Sequence, residues 1–246
     1  MYIIPAGATY ALLLGALLVV SDLEEASAFV PSSARSLFRR HPSIRPAWTD
    51  KSFDFSSAHG WETYYKTGSE EEDDAKVVVE WHASVPLEVI ADKVPLEAEC
   101  LMVGTGLSHL PAAVLERWQA SITLQDSSET CIQQLKERYG ETMKYAVGDA
   151  TKLSDFVQGD FDMVLDKGLM DAIFCGEGYD APIRTLLEES SRVLKTGGAY
   201  LLVGYRLPTS THEFLVEAGQ EVGLEWEFDA AGSNDRVGIS IARKMM

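Results

Sequence analysis

The sequence predicts an α/β protein: a doubly wound, mostly parallel seven-stranded sheet that closes on a C-terminal antiparallel hairpin. Three observations carry this reading. From Cys100 onward, short apolar runs alternate with stretches of helical spacing, the signature of βαβ units with right-handed crossovers and helices on both faces. The first apolar run empties into a Gly-x-Gly turn, Gly104-Thr105-Gly106. Two β-like runs joined by a turn-rich segment end the chain.

Taken in order, strands are expected over residues 100–103, 122–125, 144–147, 162–166 and 199–204. Helices are expected over 110–118, 129–139 and 181–194, with Thr196-Gly197-Gly198 stopping the last of them. Ser210-Thr211-His212-Glu213 reads as a capping box opening a helix that runs to about Val222. The closing runs are 224–228 and 237–243, and residues 229–236, rich in Ala, Gly, Ser, Asn and Asp, connect them. Residues 67–76 lack apolar periodicity and hold five consecutive acids, Glu70 to Asp74, which read as a solvated loop.

With 246 residues, 46% of them hydrophobic and 24% charged, the chain has material for one large core. Its 38 acids against 21 bases give a net charge of -17. That balance argues against a nucleic-acid-binding surface, which needs clustered cations, and favours a basic protein or a small molecule as partner. Cys100, Cys131 and Cys175 form no C-x-x-C pair, so free thiols are expected, with neither a zinc site nor a dithiol centre.

The N-terminal part reads as an address. Residues 1–21 carry no charge, and residues 10–20 are an apolar run of signal-peptide length. A membrane anchor is the competing reading, since a spanning helix takes about 20 apolar residues. Ala26-Ser27-Ala28 has the small-x-small form of a cleavage site. After it, Phe29 opens a stretch with Arg35, Arg39, Arg40 and Arg45 and no acid, which is transit-peptide chemistry. The junction ASAFVP resembles the ASAFAP motif of plastid precursors in algae with secondary plastids. The expected organisation is a signal peptide at 1–28, a transit peptide or linker at 29–46, and the working domain at 47–246. An ordinary secretory signal followed by a Ser/Arg linker is the alternative. Losing the three acids before Phe29 takes the charge from -17 to -14; losing the four arginines as well takes it to -18.

The chemistry-bearing residues fall at successive strand ends. Gly104 and Gly106 let the backbone approach a ligand closely. A dinucleotide fingerprint wants Gly or Ala three residues after the second glycine, and His109 stands there. Asp126, 22 residues after Gly104, ends the second strand where an acid can accept ribose hydroxyls. Asp149, in Gly148-Asp149-Ala150 after the third strand, can reach an adenine amino group. Asp166, Lys167 and Gly168 lie at the mouth of the fourth. Each acid alone is as readily a helix cap or loop residue.

The stretch from Trp61 to Arg243 resembles the class I, seven-β-strand S-adenosylmethionine methyltransferases of Rossmann-like fold. Within them it is most similar to the group that contains lysine methyltransferases of translation elongation factor 1-alpha. The matching pieces are Trp61-x-x-x-Tyr65, Glu80-Trp81, Gly104-x-Gly106-x-Ser108, Asp126-Ser127-Ser128, Asp149-Ala150 and, above all, Asp166-Lys167-Gly168-Leu169-Met170-Asp171-Ala172, close to the group's D-K-G-T-L-D-A. The resemblance implies that Trp61, Tyr65, Gly104, Gly106, Asp126, Ser127, Asp149, Ala150 and Lys167 contact the methyl donor, S-adenosylmethionine. Thr105 replaces a usual Cys, and Val79 stands where an aromatic residue commonly precedes Glu-Trp. Trp61 and Tyr65, one helical turn apart, read equally as packing at a core edge.

A lysine acceptor must lose its proton, so a carboxylate near the transferred methyl matters, and Asp166 is the catalytic candidate ahead of Asp171. Protein lysine methylation is the expected function. A small-molecule methyltransferase acting on a phenol or quinone and a non-catalytic donor-binding protein are the alternatives.

Overall fold

The computed structural model describes residues 54–70 and 80–245. The expectations for residues 1–53, for the acidic run beyond Glu70 and for Val79 lie outside the described residues, as do the proposed boundaries at 28 and 46.

Helix α1 (Ala58–Glu70) and the short α2 (Leu87–Ala91) precede the sheet. The alternating core follows: β1 (Glu99–Val103), α3 (Leu110–Trp118), β2 (Ser121–Asp126), α4 (Glu129–Tyr139), β3 (Lys144–Val147), β4 (Phe161–Lys167), α5 (Leu169–Phe174), α6 (Asp180–Val193) and β5 (Leu194–Tyr205). Helix α7 (Thr209–Glu221) leads into β6 (Leu224–Glu227) and β7 (Val237–Lys244). The sheet order is β3-β2-β1-β4-β5-β7-β6, with β7 antiparallel to both neighbours and the first five strands parallel. Strand order reverses between β1 and β4, so the crevice for a ligand opens beyond the carboxyl ends of these two strands.

Central parallel strands are covered on both faces and therefore read as nearly continuous apolar runs. Cys100, Met102, Ile122, Leu124, Leu165, Leu201 and Ile239 belong to one core layer, with Val114 of α3 and Ile132 and Leu135 of α4. Leu101, Val103, Val164, Tyr200 and Leu202 belong to the other, with Ile183, Leu186 and Leu187 of α6 and Leu215 of α7. Leu187 is fully buried, so truncation to Ala costs about 2–5 kcal/mol. All three cysteines are free thiols, with Cys100 and Cys131 buried.

Four local expectations are corrected. Helix α1 continues through Glu70, into the stretch read as loop, because Trp61 and Tyr65 on its inner side pack against the core. The capping box does not form: α7 begins at Thr209 after Pro208, without a side-chain cap, which places Ser210 inside the helix. Thr196-Gly197-Gly198 does not end α6, which stops at Val193, but lies within β5. Gly197 has φ +78, and the β4–β5 register shifts there, between Phe161 and Met163. Finally, α2 and α5 are additions, each too short for helical periodicity to register.

Candidate active site

The turn after β1 requires its glycines. Gly104 and Gly106 both have positive φ, +53 and +54, and a Cβ at Gly104 would come within 2.8 Å of Leu169 Cβ. Gln125 holds the turn against β2 by backbone and side chain: Thr105 N donates to Gln125 O at 3.0 Å and Gly104 N to Gln125 Oε1 at 3.3 Å. Asp126 Oδ2 accepts from Gly106 N at 2.9 Å, and Asp126 Oδ1 from Ser128 N at 2.9 Å. Asp126 thus ties the glycine turn to the start of α4. Burial pushes its carboxyl up against these bonds. Each carboxylate oxygen keeps a second lone pair for a ligand hydroxyl.

Helix α1 lies over this turn. Tyr65 is buried, and its hydroxyl sits 3.1 Å from where a Gly106 Cβ would be. Its ring stacks on Trp61, centroids 6.1 Å apart. Both readings of this pair coincide: the rings pack a core edge, and that edge is the rim of the glycine turn. Burial, followed by the Asp126 charge, raises the Tyr65 phenol well above its usual range. One turn away from Tyr65, Glu62 accepts from Ser128 Oγ at 2.5 Å and from Thr130 Oγ1 at 2.7 Å. The Ser128 bond is the main reason its carboxyl falls to about 2. Sequence reasoning missed Glu62 because its partners lie more than sixty residues away.

At the end of β4, Lys167 Nζ lies 2.6 Å from Glu80 Oε1 and donates to Trp81 O at 2.8 Å. Glu80 also accepts from Ser108 Oγ at 2.7 Å and from His109 N at 2.9 Å. Burial pushes the Glu80 carboxyl up, but the Lys167 ammonium and these bonds outweigh it and hold it low. Gly104, Thr105, Ser108, Leu165 and Lys167 line the same cleft. The remaining donor candidates do not line it. Asp149 is exposed and turns the chain by accepting from Thr151 N at 2.9 Å; Ser127 is exposed, and Ala150 is buried in the second core layer.

The structure corrects the role of Asp166. Its side chain is fully buried, on the layer opposite Lys167, and caps α5: Oδ1 accepts from Leu169 N at 2.8 Å, and Oδ2 from Met170 N at 3.1 Å and Tyr200 Oη at 2.7 Å. Burial lifts its carboxyl to about 7. Strand alternation explains the displacement, since adjacent residues point to opposite faces, and a carboxylate at that place spares the helix unpaired N–H groups. Asp166 is therefore a positioning residue for the turn that carries Lys167 and Gly168. Asp171, ranked behind it, is the carboxylate that borders open space.

A methyl donor with an adenosine and an amino-acid tail fits this constellation. Glu80 and Lys167, paired with each other at the cleft, would face the amino-acid tail of such a donor, and the glycines at 104 and 106 leave room for close approach. Asp126 ends β2 and Asp149 follows β3, the next two strand ends, where they would meet the ribose and adenine of such a donor. The bound group supplies a methyl on a positively charged sulfur; the chain's own residues bind, orient and exclude water.

Comparison with known proteins agrees. Residues 100–198 match the family model described as a methyltransferase domain. The eEF1A lysine and N-terminal methyltransferase of Mus musculus is 29% identical over 192 residues, 75% of this chain and 26% of that protein. EEF1A lysine methyltransferase 4 of Mus musculus is 25% identical over 66% of each chain. The chain thus spans about a quarter of the length of the first of these relatives. Among solved structures, a 1,6-didemethyltoxoflavin-N1-methyltransferase from Burkholderia thailandensis superposes with a TM-score of 0.57, at 18% identity, over 84% of this chain and 93% of its own. A TehB-like methyltransferase from Corynebacterium glutamicum gives 0.52 at 18% identity, covering 76% of this chain and 97% of its own.

The chain has the fold of solved S-adenosylmethionine-dependent methyltransferases and, over residues 100–198, resembles that class of enzyme. Within that class, the chain resembles the eEF1A lysine methyltransferases.

Proposed function

We propose that this enzyme methylates a lysine side chain of a basic protein. The observation that carries this reading is the alignment with eEF1A lysine methyltransferases over three quarters of the chain. The net charge of -17 agrees with it, since an acidic enzyme attracts a basic protein at a distance. The residues that hold the donor under this proposal are Trp61, Tyr65, Gly104, Gly106, Asp126, Ser127, Asp149, Ala150 and Lys167. Incubating the full chain with methyl-labelled S-adenosylmethionine and an algal protein extract tests the function. Label recovered as methyl-lysine after protein hydrolysis is the expected result; label confined to solvent-extractable metabolites overturns it in favour of a small-molecule acceptor.

We further propose that residues 1–45 deliver the protein to a plastid. The Ala28-Phe29 junction and the arginines that follow it support this. A fluorescent reporter fused to residues 1–45 should enter a diatom plastid, and Phe29→Ala should strand it outside. Secretion of the reporter with Phe29 intact contradicts the address.

A further inference from the structure

Helix α1, the end of β2 and the glycine turn after β1 meet at the donor site, and one line of hydrogen bonds joins them. Asp126 Oδ2 accepts from Gly106 N at 2.9 Å, and Asp126 Oδ1 accepts from Ser128 N at 2.9 Å. The same Ser128 gives its hydroxyl proton to Glu62 Oε2. The line therefore runs from the turn through Asp126 and Ser128 to α1.

Glu62 is bound at several points to the first turn of α4. Its Oε2 also accepts from Thr130 N at 3.3 Å, and its Oε1 accepts from Thr130 Oγ1 at 2.7 Å. The unpaired N–H groups at a helix start favour a carboxylate there. Yet α4 has a cap of its own, because Ser128 Oγ accepts from Cys131 N at 3.1 Å. A hydroxyl has one proton and two lone pairs; with the proton given to Glu62, a lone pair is left for Cys131 N. The Glu62 bonds thus fasten α1 to a helix that is already capped. Lys66 Nζ lies 3.1 Å from Glu62 Oε1, but Lys66 is on α1 itself and its side chain is 61% exposed, so that pair does not reach α4 and contributes little.

What Glu62 fastens is the rim of the donor site. On α1 it follows Trp61 and lies one turn before Tyr65, whose hydroxyl sits 3.1 Å from where a Gly106 Cβ would be. Gln134 Nε2, further along α4, donates to Tyr65 O at 3.2 Å. Two such points set the direction of α1 against α4, and Glu62 supplies the one at the Asp126 end.

We propose that Glu62 is a positioning residue for the methyl donor: through Ser128 it holds the Asp126 carboxylate in place, and through α1 it keeps Trp61 and Tyr65 over the glycine turn, which slows release of the donor. The proposal rests on the donor site described above. Glu62 itself needs no contact with the donor.

The test follows release of labelled S-adenosylhomocysteine from the full chain, chased with unlabelled ligand. Glu62→Ala removes every bond of the carboxylate and leaves a strong helix former in α1. Release should be about ten-fold faster or more, the loss expected for hydrogen bonds to a charged group, with association little changed. Thr130→Val keeps the shape of the side chain and removes one of the bonds. It should speed release in the same direction and add nothing to Glu62→Ala, and it covers the case in which Glu62→Ala does not fold. Leu187→Ala, in the other core layer, lowers stability without touching this network and should release the ligand at the wild-type rate. On an Asp126→Ala background, Glu62→Ala should accelerate release less than it does in wild type, because the two act through shared bonds. Wild-type release from folded Glu62→Ala or from Thr130→Val, equal acceleration in Leu187→Ala, or full additivity with Asp126→Ala overturns the positioning role. A wild-type chain that does not bind S-adenosylhomocysteine defeats the donor site itself, so the two failures are distinguishable.

Discussion

Lys167 Nζ lies 2.6 Å from Glu80 Oε1, an ion pair that fastens the carboxyl end of β4 to the segment ahead of the sheet. The Lys167 side chain is 5% exposed, so deleting one partner strands a charge out of water, a change that costs about 3–5 kcal/mol. Glu80→Gln should lower the melting temperature, and the Glu80→Gln/Lys167→Met double variant should recover part of the loss, which thermal denaturation would read as non-additivity. Calorimetry should show weaker S-adenosylhomocysteine binding in Glu80→Gln, in Lys167→Met and in the double variant. Additive melting shifts with intact binding would remove the pair from the donor site.

Glu62 predicts an acid-dependent loosening of α1. Its carboxyl falls from 4.5 to about 2 on folding, chiefly through the Ser128 hydroxyl. A depressed acid stabilises the folded chain above its unfolded value and loses that effect as pH falls through the folded one. Wild type should therefore be more stable than Glu62→Gln at pH 7, with the gap closing between pH 4.5 and 2. Denaturant melts across that range check the sign, and a gap independent of pH counts against the clamp.

Asp166 predicts the opposite slope. Burial raises its carboxyl from 3.8 to about 7, so the unfolded chain ionises first. Stability should decline as pH rises between these values. Asp166→Asn, which keeps an acceptor for the α5 N–H groups, should flatten that decline. Its acceptor KM should stay close to wild type, because Asp166 faces α5 and Tyr200. A large rise in acceptor KM with an unchanged pH profile would return Asp166 to the catalytic role.

A basic acceptor predicts salt sensitivity. With a net charge of -17, initial rates at subsaturating acceptor should fall steeply with ionic strength, because screening shortens to about 8 Å at physiological salt. Donor binding should respond less. Rates that ignore salt favour an uncharged small acceptor.

The central strands were legible because they are covered on both faces and therefore stand out as apolar runs: 100–103 falls within β1 and 122–125 within β2; helical spacing marked 110–118 and 129–139, which match α3 and α4. Short helices escaped for the complementary reason, since α5 owes its start to the Asp166 cap and to Gly168 at φ +94, not to periodicity. At the site, spacing marked Gly104, Gly106, Asp126 and Lys167. It did not reveal that Asp166 and Lys167, adjacent in sequence, serve opposite layers. The Glu62–Ser128, Glu80–Lys167 and His82–Asp171 contacts join segments far apart in the chain, and no local pattern encodes such pairs.

The measurement that bears most directly on the account is calorimetric titration of the chain with S-adenosylhomocysteine and with NAD, repeated on Asp126→Ala. Wild type should bind S-adenosylhomocysteine and leave NAD unbound, because His109 occupies the place of the third dinucleotide glycine. Asp126→Ala should lose about 1.5–3 kcal/mol of that affinity, roughly ten- to a hundred-fold, with its secondary structure intact. Tight NAD binding without any response to S-adenosylhomocysteine, or unchanged affinity in Asp126→Ala, would contradict the donor site described here.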